Sequence, residues 1–185
     1  EFRRVLFRSD LDRFLAHGPR LATELRGLRG NPVTLELLIR LSVMSRFGMD
    51  LVMQWPRLFW DVVQEREHRQ IWGRSLMAEG LGRQLRRLES YEHRINGMVR
   101  FRNYNLLRII LGDLAGTMTF ESITAELSDM TDVLVQQALD CAVERLAPRY
   151  GRPATSMVVL ALGKLGGREL NYSSDIDLIF VYGGR

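Results

Sequence analysis

Residues 162–180 read LGKLGGRELNYSSDIDLIF, from Leu162 through Gly163, Gly166 and Gly167 to Asp175, Asp177 and Phe180. The run just before it, Met157 to Leu162, is continuously apolar, which predicts a short strand covered on both faces. A second apolar, β-rich run spans Ile176 to Tyr182. Between them the adjacent glycines Gly166 and Gly167 mark a tight turn. The passage therefore predicts strand–loop–strand, the opening of an α/β domain.

Its polar residues carry chemistry. Asp175 and Asp177 stand two apart at the head of the second run. If both lie in a strand, their side chains leave the same face. Two neighbouring carboxylates repel unless a cation joins them, and their hard oxygens suit magnesium completed by phosphate and water. A bare Asp-x-Asp is more often two surface aspartates, so its context decides. Gly166 and Gly167 would let the backbone approach a phosphate closely. The hydroxyl of Ser174 could donate to the same group. The segment is not a P-loop, because Lys164 precedes the glycine pair and no Gly-Lys-Ser/Thr occurs. Glycine pair, short spacer, Ser-Asp-x-Asp and Leu-Ile-Phe together point to a nucleotidyltransferase-type site.

Upstream, from Asp10 to about Leu146, the pattern is helical. Leu35, Leu38, Ile39, Ser42 and Val43 form a one-sided stripe, with Asn31-Pro32 as a start signal and Gly48 as a stop. Pro56 begins a helix running from Arg57 towards Leu88, with a break near Gly80. A helix from Glu92 to Leu114 turns Ile95, Val99, Leu106, Ile109 and Ile110 inward and ends at Gly116. Thr119 caps the next helix. Its core face is Ile123, Leu127, Met130, Leu134, Ala138 and Cys141, and Pro148 closes it. The texture changes at Gly151-Arg152-Pro153. The fold class expected is α+β, a helical region over 10–150 and the beginning of an α/β domain over 151–185.

With 185 residues, 46% of them hydrophobic and 26% charged, the composition is that of an ordinary globular domain. No apolar run is long enough to span a membrane, and no signal peptide opens the chain. The single cysteine, Cys141, excludes an internal disulfide and a cysteine-built zinc site, and fits the cytoplasm. The formal net charge of +4 does not argue for nucleic acid. Glu1–Ser9, EFRRVLFRS, reads as a translated sequencing adapter and is set aside, with its three arginines and one glutamate. Most remaining arginines alternate with acids along helices, as on a solvated face.

Leu162–Phe180 is similar to the motif of the bacterial glutamine synthetase adenylyltransferase/adenylyl-removing enzyme family. Arg100-Phe101-Arg102-Asn103, Leu106 to Ile109 and Gly112 to Ala115 resemble the helix preceding that family's catalytic domain. Ile123 to Asp129 resembles the helix that follows this pre-domain helix. Asn171-Tyr172-Ser173-Ser174 looks more like the N-terminal of its two nucleotidyltransferase domains, the one that removes AMP from a glutamine synthetase tyrosine by phosphorolysis. The resemblance implies Asp175 and Asp177 as catalytic magnesium ligands, with Gly166, Gly167, Ser174 and Lys164 at the nucleotide phosphates. It further implies Mg2+ as cofactor. ATP, ADP and phosphate would be the small-molecule reactants, and glutamine synthetase and the PII signal protein the partners. Such a site also needs a third carboxylate from a later strand, so residues 151–185 are expected to be a truncated nucleotidyltransferase domain, inactive by themselves. Two other readings stay open, a nucleotidyltransferase of another substrate class and a non-catalytic helical docking module.

Several conspicuous residues carry less. His17, His68 and His93 lack ligand spacing. Cys141 reads as a small buried hydrophobe. Trp55, Phe59, Trp60 and Trp72 read as packing, and Arg83, Arg86 and Arg87 as a solvated helix face.

Overall fold

Asn31 and Pro32 start a helix as the sequence predicts. In the computed structural model, which describes residues 31–183, α1 spans Pro32–Met44 with the proline in its first turn. Asn31 Oδ1 accepts from the Thr34 N–H at 3.2 Å, satisfying one of the free amides of the helix start. His17 and the adapter-like Glu1–Ser9 lie outside the described residues, as does the rest of residues 1–30.

Gly48 does not stop this helix. Ser45 does, and its Oγ accepts from the Gly48 N–H at 3.0 Å to cap α2 (Arg46–Gln54). Gly48 sits inside α2 because a Cβ there would lie 2.6 Å from Leu41 Cδ1 and 3.2 Å from Ile110 Cγ2. Close packing, not chain reversal, selects this glycine. The buried face of α1 is Thr34, Leu37, Leu38, Leu41 and Ser42. Leu35, Ile39 and Val43 of the expected stripe are exposed. Apolar residues surround most of α1, so periodicity alone does not select its inner side.

Pro56 opens α3 (Pro56–Gln64), again as expected. The break expected near Gly80 falls earlier. After α3, Arg66 turns left-handed at φ 56° and a 3-10 turn covers Glu67–Arg69. Gly73 then precedes α4 (Arg74–Leu85), which contains both Gly80 and Gly82. Each glycine costs a helix about 1 kcal/mol relative to alanine. Burial of Met77, Leu81 and Leu85 on one side of α4 outweighs that.

Helix α5 (Tyr91–Leu114) and the left-handed Gly116 (φ 68°) behind it agree with the sequence reading. Leu106, Ile109 and Ile110 are buried, whereas Val99 is 43% exposed. Around them Asn105 and Arg108 are also buried. Arg108 donates to the Gln70 carbonyl at 2.6 Å and to Asn105 Oδ1 at 3.3 Å, which ties the 65–73 connection to this helix. Tyr104 OH donates to Glu67. Burial first, then this bond to a carboxylate, holds the Tyr104 phenol above its ordinary range.

Helix α6 (Phe120–Tyr150) begins directly after Thr119. Ile123, Leu127, Met130 and Cys141 are buried as expected, but Val133 takes the inner place expected of Leu134, and Ala138 is exposed. Pro148 does not close the helix. Pro148 lies inside α6, and the helix runs on to Tyr150. Gly151 (φ 78°) then donates to the Ala147 carbonyl at 2.9 Å. Strands β1 (Met157–Leu162) and β2 (Asp177–Tyr182) pair antiparallel with Met157 opposite Tyr182 and Leu162 opposite Asp177. Between them Gly163–Gly166 makes one helical turn, α7. The architecture is therefore mostly helical with a two-stranded sheet, in line with α+β.

The chain forms two compact units. In the first, α1 to α3 and the part of α5 from Asn103 bury Leu41, Met49, Phe59, Val62 and Leu107. The second takes in α4, α5 up to Arg102, α6 and the hairpin. Arg94 pairs with Glu144 and Arg145 with Glu92 at 3.2 Å, while the Arg145 guanidinium lies 4.1 Å from the Tyr91 ring centre. Contrary to the expectation of a strand covered on both faces, Val158, Leu160 and Leu162 are 46–54% exposed. Among the described residues the hairpin has no third strand or second layer to cover that face.

Gly112 offers a test of the first unit. A Cβ there would lie 2.7 Å from the His68 carbonyl oxygen and 2.7 Å from Met118 Sδ. That carbonyl accepts from Thr117 Oγ1, which holds it in place. Gly112→Ala gains about 1 kcal/mol of helix propensity but overpacks by about 1–3 kcal/mol. The expected net result is a lower urea midpoint for loss of helical signal. An unchanged or higher midpoint would contradict this packing.

Candidate active site

The glycine loop is built on the end of β1. Gly163 takes φ 57°, a left-handed conformation that glycine adopts without strain. Gly166 then lies over the strand, and a Cβ there would come within 2.5 Å of the Ala161 carbonyl oxygen. Gly167 closes the turn by donating its N–H to the Gly163 carbonyl at 3.0 Å. The Gly167 amide is thus engaged within the turn. The reversal itself falls on Arg168, at φ 58°.

Behind the turn, α6 supplies the seat. Leu165 and Leu170 are buried. Asp129, itself nearly buried, accepts from Arg168 Nη2 at 2.8 Å. Ser128 Oγ accepts from the Leu170 N–H at 3.4 Å and donates to the Thr124 carbonyl at 2.8 Å. Sequence reasoning did not single out Ser128 or Asp129 for the site. Their polar character on the inward side of a helix was the available signal.

The loop then folds on Asn171. Asn171 Oδ1 accepts from Ser174 Oγ at 2.6 Å and from the Ser173 N–H at 3.3 Å. Ser174 is therefore held in a side-chain-closed turn. Asp177 is the first residue of β2, and Asp175 stands just ahead of the strand, so the alternation argument covers only one of the two. Both are exposed. Asp177 Oδ2 lies 3.7 Å from where a Gly163 Cβ would sit, so one carboxylate adjoins the start of the glycine loop. Lys164 is exposed beside it.

A groove of about 560 Å3 runs between α6 and the hairpin, lined by Arg74, Asp132, Val135, Leu139, Ala161 and Leu178 among others. Ala161 and Leu178 are a cross-strand pair, and Leu162 and Asp177 are the next pair along. Alternation puts Asp177 on the other face of the ribbon from Ala161 and Leu178, while Gly166 and Arg168 of the glycine loop also line the groove. Among the described residues no three His, Cys, Asp or Glu side chains are placed to share a metal ion. His68 is buried and His93 exposed, well apart from this region in sequence, and Cys141 is buried. Arg83, Arg86 and Arg87 are exposed. No helix among the described residues is long and apolar enough to cross a membrane.

Residues 35–185, and so both the helices and the loop just described, match the family model for glutamate-ammonia ligase adenylyltransferase. The chain belongs to the glutamate-ammonia ligase adenylyltransferase family. Three relatives, each named a bifunctional glutamine synthetase adenylyltransferase/adenylyl-removing enzyme, show the extent of the likeness. That of Nitrosococcus oceani is 33% identical over 156 residues, covering 80% of this chain and 16% of the relative. That of Burkholderia mallei is 28% identical over 151 residues, with 82% and 16% covered. That of Chromobacterium violaceum is 42% identical over 90 residues, with 45% and 10% covered. The chain thus spans about a sixth of the length of the first relatives it matches in this adenylyltransferase family.

Proposed function

We propose that this chain is part of an enzyme that removes AMP from a tyrosine of glutamine synthetase by phosphorolysis, and that its glycine loop and aspartates belong to a nucleotidyltransferase fold. The observation that carries the reading is the junction of Gly163 with Asp177, a phosphate-type turn abutting the first carboxylate of an antiparallel strand. The relatives' names supply the substrate protein and both directions of adenylyl transfer. The sequence Asn171 to Ser174 supports the removing half.

Asp175 and Asp177 are exposed, and their carboxylates have no hydrogen-bond or ion-pair partner among the described residues. Two such carboxylates fit a hard cation, and we assign them as Mg2+ ligands. When bound, that ion would neutralise charge on the transferring phosphoryl group. Gly167 offers a surface without a side chain to the phosphates, and Gly166 lets the turn lie close over β1. Lys164, exposed in the same loop, is the cation we assign to the phosphates, and Ser174 keeps the loop closed ahead of the aspartates. In the reaction an oxygen of inorganic phosphate bonds to the adenylyl phosphorus. The bond from that phosphorus to the tyrosine oxygen breaks, ADP leaves, and the phenolate takes up a proton. Adenylylation from ATP and control by the PII signal protein belong to the same proposal for the whole protein, which we place in the cytoplasm.

The test uses the full-length protein carrying this segment, adenylylated glutamine synthetase, Mg2+ and phosphate. ADP should appear in step with loss of the adenylyl group, and omission of phosphate should stop it. Release of AMP instead, or no release, would refute phosphorolysis.

A further inference from the structure

We propose that Ser128 and Asp129 of α6 are positioning residues that hold the glycine loop in register with the aspartates, acting through Leu170 and Arg168; the inference rests on the function proposed above. Arg168 occupies the left-handed region at φ 58°, where a side-chain-bearing residue is uncommon and persists only when its surroundings hold it. What holds it is in view. Its guanidinium donates to Asp129 at 2.8 Å, and Asp129 has 13% of its side chain exposed. On the other side of Glu169, the Leu170 amide donates to Ser128 Oγ. The Glu169 amide itself closes the turn on the Lys164 carbonyl at 2.7 Å.

Residues 168 and 170 are thus fastened to consecutive positions of one helix, while Leu165 and Leu170 are buried. The opposite end of the loop, Gly163, meets Asp177. With its back clamped, the loop presents a fixed front to the carboxylates. Arg168 has a supporting part in this arrangement. Its charge is committed to Asp129, so it supports the loop and does not grip phosphate. A shift of about 1 Å in such a loop is enough to cost on the order of a hundredfold in rate.

The experiment compares full-length wild type with Asp129→Asn, Arg168→Gln and Arg168→Lys in phosphorolysis of adenylylated glutamine synthetase. Asp129→Asn and Arg168→Gln should each lower kcat by about 10–100-fold, with KM for the protein substrate within about twofold, since loop register and not docking is disturbed. Arg168→Lys keeps the charge opposite Asp129 and should recover most of the loss. Thermal melting of each variant separates misplacement from unfolding. Wild-type kcat in Asp129→Asn and Arg168→Gln would overturn the inference. A kcat loss matched by an equal loss of folded protein would overturn it too, as would an Arg168→Lys enzyme as impaired as Arg168→Gln. Wild-type enzyme that releases no ADP would instead remove the function itself.

Discussion

Asp177→Asn in the full-length protein is expected to reduce Mg2+-dependent phosphorolysis of adenylylated glutamine synthetase by on the order of a thousandfold or more. A metal-organised phosphoryl centre contributes several kcal/mol of transition-state stabilisation, and each 1.4 kcal/mol is about tenfold. Asparagine keeps the shape but removes the charge that would hold the cation. The fold does not need that charge. Asp177 is exposed, and it opens β2 through backbone pairing opposite Leu162. Its substitution should therefore change stability by no more than about 0.5 kcal/mol, as for an ordinary surface site. Chelation of Mg2+ from the wild-type enzyme should reproduce the loss, and restoring Mg2+ should reverse it in the wild type only. An Asp177→Asn enzyme retaining a tenth or more of the wild-type rate would exclude Asp177 as a metal ligand.

The parts of this molecule legible in its sequence are those written in local chemistry. Asn31-Pro32, Pro56 and Gly116 act within one turn of backbone, and each lies where its conformational rule puts it. The two β-runs are likewise intrinsic, because continuous apolar β-branched stretches suit strands. What the sequence hides depends on distant partners. Gly48 looks like a terminator until the side chain of Ile110 is seen against it. The bend at Arg66 has no glycine or proline to mark it. It exists where buried Arg108 reaches the Gln70 carbonyl. At the candidate site the sequence identifies the glycines and aspartates, since their chemistry is local. It does not show that α6 carries the seat, because Ser128 and Asp129 lie some forty residues upstream. Nor does it separate what each glycine is for, a question on which Gly166 and Gly167 differ.

Gly166→Ala and Gly167→Ala should fail in different ways. At Gly166 a Cβ would stand 2.5 Å from the Ala161 carbonyl oxygen and 3.2 Å from its carbon. Both are backbone atoms of β1, fixed by the pairing of Ala161 with Leu178, so no side chain can rotate aside. The turn must lift off the strand, at about 1–3 kcal/mol as in other overpacked sites. That displacement carries the loop away from Asp177, and activity should fall by on the order of a hundredfold together with a lower melting temperature. At Gly167 the nearest atoms to a new Cβ are 3.6 Å away, an ordinary contact, and its φ of −79° suits any residue. The fold gives no reason for glycine there. If the reason is the approach of a nucleotide phosphate, Gly167→Ala should leave melting unchanged and still lower activity at least about tenfold, with a raised KM for phosphate, because the added methyl occupies ligand space only. Full activity in Gly167→Ala would remove Gly167 from the phosphate site, and a large drop in its melting temperature would mean that the turn, not the ligand, requires it.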